Sequence, residues 1–186
     1  MAPELTTMVA ATNDRIPPGV QLICYGPFYP PKGAQSMHKL LPSVNMKIVH
    51  HMIMFGGSNS MSGSARAHSD ACYRGGIVYA WARTGQTSPI GLDFDESATG
   101  TGDAYAVGPG TSVQWFALQI HYQQLSSSSS VLDNSGIKMW FRPSPPVRPL
   151  EVELMMSAQV RAGAAAAPLI SPRPPAQLCA GSHCTL

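Results

Sequence analysis

The chain has 186 residues, a length that suits one ordinary domain and is short for two. It is 44% hydrophobic and only 12% charged, and its net charge of +2 comes from scattered side chains without a basic stripe, which argues against nucleic-acid binding. No apolar stretch reaches the roughly 18 residues that span a bilayer, and residues 1–7 lack the basic and apolar regions of a signal peptide.

Seventeen Gly and 17 Pro residues predict many turns and few long helices. Residues 1–19 are polar, end in two prolines and a glycine, and predict a loose, loop-like lead-in. Beyond them, runs of β-branched and bulky apolar residues between turn residues predict strands. In chain order, the predicted strands are Val20–Tyr25, Met46–Phe55, Ile77–Ala82, Tyr105–Val107, Val113–Tyr122, Ile137–Phe141 and Leu150–Val160. Strands of similar length, with no long helical period, predict an all-β, antiparallel sandwich.

The sequence thus divides into a lead-in at residues 1–19, a sandwich domain at residues 20–160 and a tail at residues 161–186. The tail is rich in Ala and Pro and poor in bulky apolar residues. Such a composition predicts a disordered segment, because it buries too little apolar surface to form a packed domain.

Three histidines carry the main chemical signal of the chain. The adjacent pair His50 and His51 lies in the apolar run Val49–Phe55, and His121 lies in a second apolar run. Imidazoles without neighbouring carboxylates or thiolates suit copper or zinc, and suit calcium or magnesium poorly. The apolar context predicts that the pair is buried, at a cost unless a metal occupies the ring lone pairs. Because neighbouring strand residues point to opposite faces, the pair shares one ion only if a bulge turns one ring or the rings use different nitrogens.

Spacing alone leaves three interpretations of these histidines open. They bind copper for electron transfer or small-molecule binding, they bind zinc with an open water position for hydrolysis or hydration, or they are hydrogen-bonded core residues. The other histidines, His38, His68 and His183, stand in polar or Pro/Gly-rich contexts that predict surface positions. Met52 and Met54 are predicted core residues, because Met fills gaps in apolar packing.

Three strings of residues, in order, carry a resemblance to a known family: Val49–Gly56 (VHHMIMFG), Tyr79–Arg83 (YAWAR) and Leu118–Tyr122 (LQIHY). Together with Leu154–Ser157 (LMMS), they resemble the first domain of peptidylglycine α-hydroxylating monooxygenase. That enzyme belongs with dopamine β-monooxygenase among the ascorbate-dependent type II copper monooxygenases. The resemblance covers roughly residues 20–160.

The resemblance implies an antiparallel jelly-roll sandwich that holds one copper by His50, His51 and His121. In the family this copper passes one electron, supplied by ascorbate, to the O₂-dependent hydroxylation of peptides that end in glycine. The resemblance also implies a disulfide between Cys24 and Cys72, and with it a secretory or extracellular location.

Departures from the family limit what the resemblance implies. Two further family disulfides would need cysteines at Gly57 and Asn134, and both members of each pair are missing. In the family, O₂ and the peptide meet at a second copper, in a second domain with a His-x-His pair and a Met as ligands, and no His-x-His occurs in this sequence.

The expectation is therefore an electron-transfer domain, truncated before the substrate domain, that does not hydroxylate peptides alone and whose partner is a separate second domain. The alternative hypothesis is a copper-binding or interaction module without catalysis. A zinc hydrolase is the third hypothesis, and it lacks an obvious general base beside the histidines.

Overall fold

The computed structural model describes residues 6–61, 67–83, 90–94, 102–123 and 129–151. The chain divides into two units, Met1–Leu154 and Met155–Leu186, and the second lies outside the described residues. So do the predicted tail, His183 and nearly all of the predicted strand Leu150–Val160. None of the described residues forms a helix able to cross a membrane.

The described residues form strands and one short 3₁₀ turn at Ala71–Tyr73. The strands are β1 (Thr6–Ala11), β2 (Asp14–Ile16), β3 (Leu22–Phe28), β4 (Ser36–Ser43), β5 (Val49–Gly57), β6 (Gly76–Ala82), β7 (Leu92–Asp93), β8 (Asp103–Ala106), β9 (Trp115–Tyr122), β10 (Val131–Asp133), β11 (Gly136–Arg142) and β12 (Arg148–Pro149).

Two main sheets pack against each other. One is a four-stranded antiparallel sheet in the order β3-β9-β5-β6. The other has the order β1-β11-β4-β8-β12, with β7 also pairing β4, and all its pairings are antiparallel except β12 with β8. The strands β2 and β10 form a separate two-stranded pair. The predicted all-β, antiparallel sandwich is confirmed, whereas the jelly-roll connectivity stays an implication of the resemblance.

A single apolar core fills the space between the sheets. It takes alternate residues from β9, namely Phe116, Leu118, Ile120 and Tyr122, and residues of β11 from the facing sheet. The Phe116 and Phe141 rings meet across the core with centroids 6.2 Å apart. Met52 and Met54 are buried in the same core, as predicted.

The structure differs from the predicted lead-in, because residues 6–11 and 14–16 form strands. Strand β1 pairs with β11 in a continuous register from Thr6↔Phe141 to Ala11↔Gly136, and Ala10 is buried. Its residues, TTMVAA, give no strong alternating pattern, so the strand forms because β11 offers an edge to pair with. The same weak pattern left β4 without a predicted strand.

The prediction that His38 is a surface residue is wrong. His38 is only 1% exposed and lies on β4, where Lys39 pairs with Trp140 but Met37 pairs with Phe141, so that His38 is an extra residue in the register. The mixed polar and apolar residues around it, SMHKLLPS at residues 36–43, gave no clear alternating strand pattern. The surface prediction for His68 is confirmed, because this residue is exposed.

Candidate metal centre

A β-bulge at His50 brings the predicted histidines together. In the pairing of β5 with β9, Val49 stands opposite Tyr122 and His51 stands opposite His121, so His50 has no partner of its own. An extra residue of this kind interrupts the strict alternation of side chains. His50 and His51 therefore both lie on the outer face of the four-stranded sheet, while Val49 and Met52 are buried in the core on the other side.

Ring nitrogens of the three histidines converge on one small region. The Nδ1 atom of His51 lies 3.1 Å from Nδ1 of His50 and 3.3 Å from Nδ1 of His121. One nitrogen from each ring lies within 4.8 Å of the others. We call His50, His51 and His121 the histidine trio; within the described residues, no carboxylate or thiolate joins it as a further candidate ligand.

Backbone hydrogen bonds fix the bulge on both sides. The N–H of Arg83, just after β6, donates to the carbonyl of His50 over 3.0 Å. The N–H of Gln123, just after β9, donates to the carbonyl of Ile48 over 2.9 Å. On the β6 side, His51 pairs in register with Ala82. The position of the trio is thus set by paired backbone in three adjacent strands.

The trio is less buried than its apolar sequence context predicts. His50 is exposed, and His51 and His121 are half-buried. The predicted burial of the adjacent pair is therefore wrong, because the bulge turns both rings to the outer face. The partial burial still matters for charge: desolvation, and then the proximity of His121 and His50, lowers the pKa of His51 below its ordinary value of 6.5.

The arrangement is compatible with one metal ion shared by the three rings. Nitrogens bound to one ion at about 2.0–2.1 Å stand roughly 2.9 Å apart at right angles and roughly 4.1 Å apart across the ion. The distances of 3.1 and 3.3 Å lie inside that range. A lowered pKa favours neutral imidazole, which is the form that binds metal. The donor set suits copper or zinc.

A second apolar cluster covers the other end of the same sheet face. Cys24 and Cys72 form a disulfide with an S–S distance of 2.06 Å, which ties the 3₁₀ turn to β3. The cluster consists of Cys24, Ala71, Cys72, Trp115 and Ala117. The N–H of Ser69 donates to the carbonyl of Cys24 over 2.9 Å. Within the described residues, this packed cap does not extend to the histidine end of the face.

One buried polar network was not predicted from the sequence. Asp133 is 0% exposed and accepts hydrogen bonds from Tyr122 over 2.9 Å and from the hydroxyl of Ser135 over 2.6 Å. Tyr25 lies 3.3 Å from Tyr122, oxygen to oxygen, and burial raises the pKa of Tyr25 to about 12. The only sequence signal was an Asp before an Asn-Ser-Gly turn. Tyr122 follows His121 on β9, so this network anchors the end of the strand that carries His121.

Comparisons with known proteins point to monooxygenases. No protein-family model matches this chain. The chain is 30% identical to the peptidyl-glycine alpha-amidating monooxygenase of Mus musculus over 122 residues, which cover 62% of this chain and 11% of the mouse protein. It is 21% identical to the DBH-like monooxygenase protein 1 of Gallus gallus over 118 residues, which cover 56% of this chain and 17% of the chicken protein.

The chain therefore spans only a small part of the length of these relatives. The similarity is weak and partial, and it agrees with the predicted resemblance at the level of distant homology to monooxygenases. Both relatives are named as monooxygenases, which are oxidoreductases. The chain is therefore distantly related to enzymes of this class.

Proposed function

We propose that this chain contains a copper-binding, electron-transfer domain of the peptidylglycine α-hydroxylating monooxygenase type. The observation that carries the proposal is the bulge at His50, which brings ring nitrogens from the two adjacent strands β5 and β9 together. A β-bulge can form with many residue types, and this one places three histidine side chains on the same face of the sheet. The distant homology to two monooxygenases supports the same assignment.

Copper held by His50, His51 and His121 would supply one-electron redox chemistry. The chain's own part is to hold the ion with neutral nitrogens from a fixed backbone. Because the trio is only partly covered, a small reductant such as ascorbate has access to it. Three imidazoles without a thiolate leave coordination positions for rearrangement between two oxidation states.

The complete reaction in this proposal is the ascorbate- and O₂-dependent hydroxylation of peptides that end in glycine. The sequence contains no His-x-His motif of the kind that holds the family's second copper. We therefore assign O₂ activation and peptide binding to a separate second domain, which is the proposed partner. The Cys24–Cys72 disulfide supports a location in the secretory pathway or outside the cell.

The first test is the amount of copper bound per chain after reconstitution, measured by elemental analysis. We expect one copper in the wild type and loss of that copper in His121→Ala. His68→Asn is the matched control, because His68 is an exposed histidine outside the trio and Asn tolerates its positive φ of 56°. Absence of copper from the wild type would overturn the proposal. So would an equal amount of copper in the wild type and in His121→Ala.

A second measurement separates electron transfer from mere metal storage. Addition of ascorbate should remove the electron paramagnetic resonance signal of bound Cu(II). Mixing the reduced chain with a purified second domain should then produce peptide hydroxylation, which neither domain gives alone. Copper that stays oxidised would favour the non-catalytic module. Preferential retention of zinc, with no response to ascorbate, would favour a zinc site.

A further inference from the structure

A cavity lies at the end of the four-stranded sheet opposite the histidine trio. Its walls come from residues 29–34 between β3 and β4, residues 59–61 after β5, and the approach to β9 with its first residue. Strand β9 begins with Trp115 at this cavity and reaches His121 of the trio six positions later, a rise of about 20 Å. The cavity is therefore separate from the candidate metal centre.

Hydrogen bonds between the wall segments hold the cavity in shape. The hydroxyl of Tyr29 donates to the carbonyl of Met61 over 2.7 Å. Nε1 of Trp115 donates to the carbonyl of Asn59 over 2.8 Å. The segment after β5 is thus tied to both of the others, and both aromatic side chains are fixed. A ligand that enters this cavity does not have to order its walls first, which lowers the cost of binding.

Apolar side chains of limited freedom form much of the wall. The Tyr29 ring is 44% exposed, and its hydroxyl is already bonded, so it offers its apolar face. Around it lie three proline rings, which lose no side-chain entropy, and a thioether, which adapts to aromatic rings: Pro30, Pro31, Pro109 and Met61. The volume of about 440 Å³ is within the range of roughly 300–1,000 Å³ for small-molecule sites. These walls suit a compact ligand with a flat apolar body.

Lys32 is the only formally charged residue among the described residues that line the cavity. The described carboxylates lie elsewhere: three pair with other cations, two lie beside the buried tyrosines and one lines a different cavity, namely Asp70, Asp93 and Asp103, then Asp14 and Asp133, then Glu151. A single ammonium beside apolar walls, without a carboxylate in the lining, favours a ligand with one negative charge.

We infer that this cavity is a binding site for a small carboxylate with a flat apolar body, of the arylacetate class. The body lies against the Tyr29 ring and the prolines, and the carboxylate accepts a hydrogen bond from the Lys32 ammonium. Asn59 and Ser60 also line the cavity and supply neutral hydrogen-bonding groups. The inference goes beyond the proposed function, because it uses neither the trio nor a metal.

The first experiment titrates the full, metal-free chain with naphthalene-2-acetate at pH 7 and follows the indole Nε1–H signals by nuclear magnetic resonance. Trp115 lines the cavity, whereas Trp81 is buried on β6 and Trp140 lies on the other sheet beside Lys39 and Lys138. We expect a saturable shift of the Trp115 signal and none of the other two. No shift of Trp115, or equal shifts of all three signals, would overturn the inference.

The second experiment tests the charge with naphthalene-2-acetamide, which carries a neutral amide on the same apolar body. We expect the wild type to bind the acid about three- to fivefold more tightly than the amide, as an exposed ion pair allows. In Lys32→Gln this preference should disappear while the affinity for the amide stays the same. Lys32→Arg should keep the preference, and added salt should reduce it.

Matched variants separate the cavity from the general surface. Lys47→Gln removes an exposed lysine just before β5, at the other end of the sheet, and should change neither affinity. Tyr29→Ala should weaken the acid and the amide alike, with unchanged Trp81 and Trp140 signals as evidence of an intact fold. Equal affinities for acid and amide in the wild type, or a preference that survives in Lys32→Gln, would contradict the inference. Full binding in Tyr29→Ala would place the ligand elsewhere and contradict it too.

Discussion

The Nδ1 atoms of His50 and His51 lie 3.1 Å apart because His50 is the extra residue of a β-bulge. On a regular strand the side chains of two adjacent residues leave opposite faces of the sheet. Here the bulge places both on the outer face, and His51 lies 3.3 Å from His121 of the next strand. His51 is thus the central member of the trio, in contact with both of the others.

This central position makes His51 the residue on which metal binding should depend most. Copper that binds only the folded chain should raise its thermal midpoint, and a hundredfold excess over the dissociation constant stabilises by about 2.7 kcal/mol. For a chain of this size such a gain corresponds to a rise of about 5–10 °C. We expect that rise in the wild type and almost none in His51→Ala, measured by circular dichroism with and without copper.

The control for this experiment is His68→Asn, which should keep the full copper-dependent rise. His50→Ala should keep a part of it, because His51 and His121 remain 3.3 Å apart. A rise of equal size in His51→Ala and the wild type would show that the ion binds elsewhere.

The lowered pKa of His51 predicts a loss of stability of the metal-free chain in acid. Desolvation lowers this pKa below 6.5 in the folded state, so the unfolded chain binds the proton more tightly. The stability that follows is present above pH 6.5 and is lost as the pH falls from 6.5 towards the folded-state pKa. Urea midpoints between pH 7.5 and 5.5 should fall in the wild type and fall less steeply in His51→Gln. Parallel curves for the two proteins would assign the acid sensitivity to other groups.

Sequence reasoning found the strands that have strong apolar patterns and missed those that depend on a neighbour. Strand β9 alternates core residues with outward ones. It was predicted as Val113–Tyr122, and the structure begins it two residues later, at Trp115. Strands β1 and β4 carry small, polar or proline residues, and they form because β11 pairs with both of them. Partner-dependent strands of this kind leave little local signal.

The histidine trio shows the same division. A bulge or a change of ring nitrogen was the predicted condition for His50 and His51 to share an ion, and the structure contains the bulge. The exposure of His50 was not predicted, because an apolar run was taken as buried on both faces. Arg83 was also missed as a neighbour of the trio, because its contact with His50 is made by backbone groups across two strands.

The disulfide should contribute a large part of the stability of the domain. Cys24 and Cys72 are 48 residues apart, and closing a loop of that length in the unfolded chain is worth about 3–4 kcal/mol. We expect the double variant Cys24→Ala/Cys72→Ala to lose about that much unfolding free energy in urea. A reducing agent should destabilise the wild type similarly and leave the double variant unchanged. Destabilisation of both proteins by the reducing agent would mean that another bond is involved.

The last prediction concerns Gly57. The family has a cysteine at this position, but the packing of this chain leaves no room there for a side chain. A Cβ atom at Gly57 would lie 2.4 Å from Cζ2 of Trp115, a ring that is 1% exposed and whose Nε1 donates to the carbonyl of Asn59 over 2.8 Å. The ring cannot retreat, so Trp115 occupies the space that a cysteine at Gly57 would need. We expect Gly57→Ala to lose about 1–3 kcal/mol of unfolding free energy in urea.

The matched control for this change is Gly76→Ala on the neighbouring strand. A Cβ atom at Gly76 meets nothing within 4 Å, so that variant should be neutral or slightly stabilised, since Ala restricts the unfolded chain more than Gly does. Equal losses from both variants would indicate a cost of strand conformation, not of contact with Trp115. Copper binding should survive in both variants, because Gly57 ends β5 and His50 and His51 lie near its start.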